Sequence, residues 1–184
     1  NGYTHALLFD QDTDPLPHMV AALRAAARGR PDLGSVAVIG CNFLDAGTGR
    51  PGPRPPSTAP VAEVRAAITS GSLLPLRAAA SLGPFREDFF IDMVDDEFCL
   101  RARSRGYKIL LVGEPLAVPA LGAPRFRRLF GRTIVTSNPP ADRRYYMIRN
   151  YVIVLRTYGW REPGWTLRTA WIRLKTLATL VIVD

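Results

Sequence analysis

The chain has 184 residues, 47% hydrophobic and 22% charged, with a mean hydropathy of +0.03; these values exclude a disordered tail or a fibre. A chain of this length can bury about 70% of its unfolded surface, so it needs no disulfide or metal to hold a core. Its net charge is +8, and apart from Lys108 and Lys175 all 24 cations are arginines, whose planar forks suit phosphate oxygens.

Residues 5–10, His-Ala-Leu-Leu-Phe-Asp, read as a buried strand ending in acids. Leu16 to Arg28 has helical spacing through Met19, Leu23 and Ala26 and is closed by Gly29. Residues 35–40 read as a second buried strand, and this strand–helix–strand order predicts an α/β sheet with parallel elements. Residues 45–60 carry five prolines and are expected to form an exposed loop. Apolar character returns over 64–74 around Thr69-Ser-Gly-Ser72. A short helix is expected at 76–81, a longer one within 89–105 closed by Gly106, and a strand at 108–112. From Pro124 the chain turns basic (Arg125, Arg127, Arg128, Arg132), and helices follow over 141–158 and 165–183. Cys41 and Cys99 are too few for a disulfide framework or a zinc site. Both lie in apolar segments, as buried thiols of a reducing compartment do.

Two acidic groups carry chemistry. Asp10-Gln11-Asp12 follows the first strand, and ligands gather at the carboxyl ends of strands in open α/β sheets. Two carboxylates so spaced can hold a hard divalent cation, or simply solvate a turn. The second group is Asp92, Asp95, Asp96 and Glu97. Asp92 and Asp95 have capping-box-like spacing, and Glu97 can pair with Arg101 at i,i+4. Asp95 lies among apolar neighbours, where burial raises a carboxyl pKa and a helix N-terminus lowers it.

Several motifs follow one another in order: Leu7-Leu-Phe-Asp-Gln-Asp12, Thr69-Ser-Gly-Ser72, Phe85-Arg-Glu-Asp-Phe-Phe-Ile-Asp92, Val94-Asp95 with Glu97 and Cys99-Leu-Arg101, Gly106-Tyr-Lys-Ile, and Tyr145-Tyr-Met-Ile-Arg-Asn150. Over about residues 5–158 this series resembles the rhamnosyltransferases of the inverting family-2 glycosyltransferases. The resemblance implies a GT-A fold: three-layer α/β/α, with a mixed, mostly parallel sheet and C-terminal helices. It implies a catalytic and acceptor portion over residues 1–158, an amphipathic helix over 159–184, and a chain that starts without the family's nucleotide-binding half. Asp10 and Asp12 match the residues that bind Mg2+ or Mn2+ on the donor diphosphate, with Gln11 and Arg149 beside it. Asp95 matches the general base. Thr69, Ser70, Gly71 and Ser72, with Asp96 and Glu97, match the acceptor side. The sequence departs from the family at Pro119, where many relatives carry a histidine at the metal.

The donor so implied is a nucleotide-sugar, dTDP-rhamnose, and the acceptor a polyprenyl-linked or polysaccharide hydroxyl in cell-wall or surface-polysaccharide synthesis. Two alternatives stand beside it: another family-2 transferase with a galactofuranosyl or UDP-hexose donor, and a non-catalytic basic module for membrane or nucleic acid. No helix-turn-helix, zinc or RNP-like signature accompanies the basic residues, so nucleic acid is not an expected partner. On a helical wheel Leu167, Trp171, Leu174, Leu177, Ala178 and Val181 share one arc, with Arg168, Arg173 and Lys175 outside it. Fewer than 20 residues with three cations make a poor transmembrane span. The pattern suits a cytoplasmic protein lying on the inner face of a bacterial plasma membrane, or packing against a second copy.

Overall fold

The computed structural model describes residues 2–28, 30–44, 51, 59–119, 125–129, 132–136 and 140–183. They divide into two compact units, Asn1–Ala120 and Leu121–Asp184.

The first unit is built on one sheet of mixed direction. Strand β3 (Val36–Phe43) lies at its centre, an apolar run buried on both faces, as a strand covered by helices must be. It pairs in parallel with β6 (Lys108–Pro119) and antiparallel with β5 (Ser72–Pro75). β5 in turn pairs antiparallel with β1 (His5–Leu8). On its other side β6 holds two short antiparallel strands, β2 (Thr13–Pro15) and β4 (Val61–Val64). This corrects two expectations. β5 is inserted between β1 and β3, so the two are not adjacent, and among the described strands only β3 and β6 form a parallel pair. β1 is half-buried rather than buried, because it lies at the sheet edge.

Helices cover both faces. On one side α1 (Met19–Ala27) buries Met19, Leu23, Ala26 and Ala27, an i, i+4, i+7, i+8 stripe, against Val36, Ile39, Cys41, Leu110, Val112 and Leu116. It starts later than the sequence suggests. Leu16 instead donates its N–H to the carbonyl of Leu116 at 2.8 Å, and the residue before Pro17 is biased away from helix. On the other side α2 (Leu76–Leu82) and α3 (Val94–Ser104) place Ala78, Leu82, Phe98, Cys99 and Ala102 against Ala37, Val38, Leu74 and Ile109. Ala37 and Val38 are consecutive yet share a face, because the β3–β6 register shifts between Val36 and Val38. Gly106 (φ +83°) ends α3: its N–H reaches Arg103 O and that of Tyr107 reaches Ala102 O, both at 3.0 Å, which is a Schellman closure. Residues 45–60 lie largely outside the described residues, although Pro51 bridges Leu44.

The second unit holds a hairpin of β7 (Arg125–Leu129) and β8 (Arg132–Thr136), then α4 (Ala141–Tyr158) and α5 (Pro163–Val183). The two helices meet through Trp165, buried beside Tyr151 with ring centroids 6.2 Å apart, and through Arg173, whose guanidinium lies 5.6 Å over the Tyr151 ring. The half-buried side of α5 is thus the one carrying Trp165, Thr166, Thr169 and Arg173, whereas Leu167, Trp171 and Leu174 are exposed. No helix among the described residues is long and apolar enough to cross a membrane.

Gly71 (φ +75°) occupies the tightest point of the first unit. A Cβ there would meet Cys41 Sγ at 2.4 Å and Met19 Cε at 2.8 Å, whereas one at Gly106 would meet nothing within 4 Å. Gly71→Ala therefore combines a left-handed backbone penalty of about 1–2 kcal/mol with an overpacking cost of about 1–3 kcal/mol. Gly106→Ala should carry only the first, and urea unfolding of the two variants will show whether the gap between them exists.

Candidate active site

Three loops meet at one end of this sheet, and each is held by short-range chemistry. The first leaves β1. Thr13 N–H reaches back to Asp10 O at 3.3 Å, so Asp10-Gln11-Asp12-Thr13 forms a turn with aspartate at its favoured first position. Asp10, Gln11 and Asp12 are exposed. The second loop precedes β5: Ser72 N–H reaches Thr69 O at 3.0 Å across a turn whose third residue, Gly71, has the positive φ that a type II turn requires. The third precedes α3.

The third loop is strained. Phe90, Asp92 and Met93 all have positive φ (53°, 67° and 64°). Such backbone costs roughly 1–3 kcal/mol per residue and persists only where the surroundings over-determine it. Phe90 is the centre of a γ-turn, with Ile91 N–H reaching Phe89 O at 2.5 Å, and its ring is 77% exposed. Both flanks are anchored. Phe89 is fully buried under the Arg86 guanidinium, 4.5 Å from its ring, and Phe85 stacks on Phe98 at 4.4 Å. Nothing in composition or periodicity signals this strain.

The loops converge through two hydroxyls. Thr69 Oγ1 donates to Asp95 Oδ1. Ser70 Oγ accepts the Asp10 N–H at 3.0 Å and donates to Thr13 Oγ1 at 2.8 Å. The Asp95 carboxyl is held above its usual pKa, chiefly because burial penalises its charge; Thr69 opposes this, while the charges of Asp96 and Asp10 add to it. The charge of Asp10 thus reaches Asp95, 85 positions away in sequence.

The other expected site residues are placed as follows. Asp96 is half-buried beside Asp95 on α3. Glu97 is 3% exposed and pairs with Arg101 at 3.0 Å. Arg101 in turn donates to the carbonyls of Leu82 and Pro84. Glu97 thereby helps to dock α3 on the end of α2. Ser70, Gly71 and Ser72 are likewise buried, Ser72 donating to Ile68 O, so of the Thr69–Ser72 turn only Thr69 keeps an accessible part. Arg149 belongs to the second unit, where its guanidinium lies 4.8 Å over the Tyr146 ring and its Nε donates to Asn150 Oδ1. Arg149 also lines an open hollow of about 430 Å³ with Tyr145, Ile148, Val152, Ile153 and Arg156. Cys41 and Cys99 are buried thiols whose pKa values desolvation raises to about 11 and about 12, so they are inert.

A cation at Asp10 and Asp12 would have two protein carboxylates. No group of three or more His, Cys, Asp or Glu able to hold a metal occurs among the described residues. The register sets Pro119 opposite Thr13, directly beside this turn, and proline offers no ligand. An exposed carboxylate pair fits Mg2+ or Mn2+, which keep waters and bridge to phosphate oxygens instead of demanding a full protein cage.

The chain is similar to a Shigella flexneri protein named dTDP-rhamnosyl transferase RfbF, with 33% identity over 89 residues. Those residues are 48% of this chain and 29% of that protein, so the chain spans less than a third of its relative's length. No family model and no solved structure matches.

Because burial holds Asp95 above its normal pKa, its charge costs folding stability at neutral pH and the cost disappears as pH falls through the raised value. Asp95→Asn keeps an acceptor for Thr69 and removes the charge. The wild-type chain should lose stability as pH rises through the raised Asp95 value, and the variant should lack that loss. Chemical denaturation at several pH values measures it, and identical pH profiles for the two proteins would contradict this account of Asp95.

Proposed function

We propose that this chain is the catalytic and acceptor portion of a GT-A glycosyltransferase that transfers a sugar, L-rhamnose from dTDP-rhamnose, with inversion to an acceptor hydroxyl. The observation that carries the reading is the convergence of a desolvated carboxyl, Asp95, with an exposed carboxylate pair, Asp10 and Asp12, at one end of a mixed sheet. The partial similarity to a protein named as a rhamnosyl transferase supports it.

In this mechanism Asp95 accepts the proton of the acceptor hydroxyl. The oxygen then attacks the anomeric carbon from the face opposite the diphosphate, the carbon–oxygen bond to the diphosphate breaks, and the nucleoside diphosphate departs. A carboxyl pKa raised toward the working pH strengthens the base, provided the group is still ionised when it acts. Thr69 holds the carboxyl through both its hydroxyl and its backbone N–H, which fixes the rotation of the group. Asp10 and Asp12 would hold Mg2+ or Mn2+, which when bound neutralises charge on the departing diphosphate.

The same reading places the protein on the inner face of an anionic bacterial membrane, where a polyprenyl-linked acceptor is found. The outward side of α5 supports it: Leu167, Trp171 and Leu174 are exposed alongside Arg168 and Lys175, and α4 adds exposed Tyr145, Ile148 and Val152. Aromatic and aliphatic side chains among cations suit the headgroup boundary, not water.

Two measurements on the intact protein follow. Asp95→Asn should lower kcat by roughly 10²–10⁴-fold while nucleotide binding in Mn2+ persists, and transfer at the wild-type rate would exclude Asp95 as the base. The protein should also sediment with phosphatidylglycerol vesicles and not with phosphatidylcholine vesicles, less so at high salt. Trp171→Glu should weaken that binding, and an unchanged bound fraction would remove α5 from the interface.

A further inference from the structure

Ser70 is one of the least accessible polar side chains of the first unit, at 5% exposure, and an acceptor cannot reach it as it could a surface hydroxyl. Both of its hydrogen-bonding capacities point instead to the Asp10–Thr13 turn. Its oxygen receives the Asp10 backbone N–H (3.0 Å), and its proton goes to Thr13 Oγ1 (2.8 Å). One serine thus ties down the first and last residues of the turn that carries both exposed carboxylates.

The backbone beneath Ser70 is equally constrained. Gly71 N–H donates to Leu8 O at 2.8 Å, and Gly71 itself is packed against Cys41 and Met19 with no room for a side chain. Ser70 O lies 3.9 Å from Cys41 Sγ. The serine therefore stands on a support formed by β1, β3 and α1, while the turn it holds is solvent-exposed, closed within itself by a long 3.3 Å bond and continued at Thr13 into the pairing of β2 with β6. Its neighbour Thr69 serves the other carboxyl, Asp95.

We propose that Ser70 is a positioning residue that fixes the Asp10-Gln11-Asp12 turn, so that the two carboxylates are preorganised for a divalent cation and its diphosphate, and that it makes no contact with the acceptor. The adjacent hydroxyls of Thr69 and Ser70 divide the work, the first aligning the base and the second aligning the cation turn. This rests on the transferase reading above for the identity of the ligand, but the pinning of the turn does not.

The test uses the intact protein and two readouts. Hydrogen exchange at the Asp10 amide reports the pin itself. Titration with Mn2+ in the presence of a nucleoside diphosphate, following free Mn2+ by its electron paramagnetic resonance, reports the function. Ser70→Ala should accelerate Asp10 exchange and weaken Mn2+ binding about tenfold, the scale of one or two lost hydrogen bonds, with the acceptor KM unchanged. Thr13→Val removes only the bond that Ser70 donates, leaves the buried serine in place, and should shift both readouts in the same direction by less. It decides the matter if Ser70→Ala does not fold.

Unchanged Mn2+ affinity with a raised acceptor KM would overturn the proposal and make Ser70 an acceptor contact. Should the wild-type protein bind no Mn2+ and transfer no sugar, the transferase reading falls. The pin is then judged on the Asp10 amide alone, where faster exchange in Ser70→Ala sustains it and unchanged exchange refutes it.

Discussion

The backbone of Gly71 has no room around it, and the geometry of the site depends on that. Its φ of +75° turns the chain between Thr69 and Ser72, its N–H closes on Leu8, and its Cα lies against Cys41 of the central strand and Met19 of α1. Protein interiors pack too densely for such a point to shift without moving its neighbours. The two hydroxyls immediately before it therefore become fixed points in space, from which Asp95 and the Asp10 turn are positioned.

Around that point stability and chemistry pull in opposite directions. The segment before α3 has three non-glycine residues at positive φ, and a carboxyl is held in surroundings that penalise its charge. Neither feature helps the fold. Both are held by strong anchors on either side: Phe89 buried beneath Arg86, Phe85 stacked on Phe98, and the Glu97–Arg101 pair that locks α3 to the end of α2. Strained backbone and a desolvated carboxyl lie within a few residues of one another there, both held by the packing nearby.

Much of this was legible in the residues. The helix over residues 141–158 emerges with the expected bounds, and the short one at 76–81 within a residue, because apolar periodicity and flanking proline or glycine act within a few positions. Gly106 closes α3 for the same local reason. Asp10, Asp12, Asp95 and Thr69 stand out as chemistry-bearing residue types in sequence, and the fold brings them to one end of the sheet. Glu97, Ser70 and Ser72 carry equally polar side chains but are buried and engaged, a distinction that polarity alone cannot make. For Glu97 the i,i+4 spacing to Arg101 was the available signal.

What the sequence determined by itself is the set of elements and the inventory of charged and hydroxyl groups, since both depend on neighbours three or four residues away. Tertiary structure alone decided the strand directions, because the insertion of β5 between β1 and β3 joins residues 64–70 positions apart on one side and 34 on the other. It decided that α5 packs through Trp165 and Arg173 and leaves Leu167 and Trp171 exposed, since a partly apolar helix does not specify which side meets its neighbour. It also decided which acids come near one another. The influence of Asp10 on Asp95 is a Coulomb interaction, and its strength depends on separation in space and on the surrounding dielectric, neither of which is written in the order of the residues.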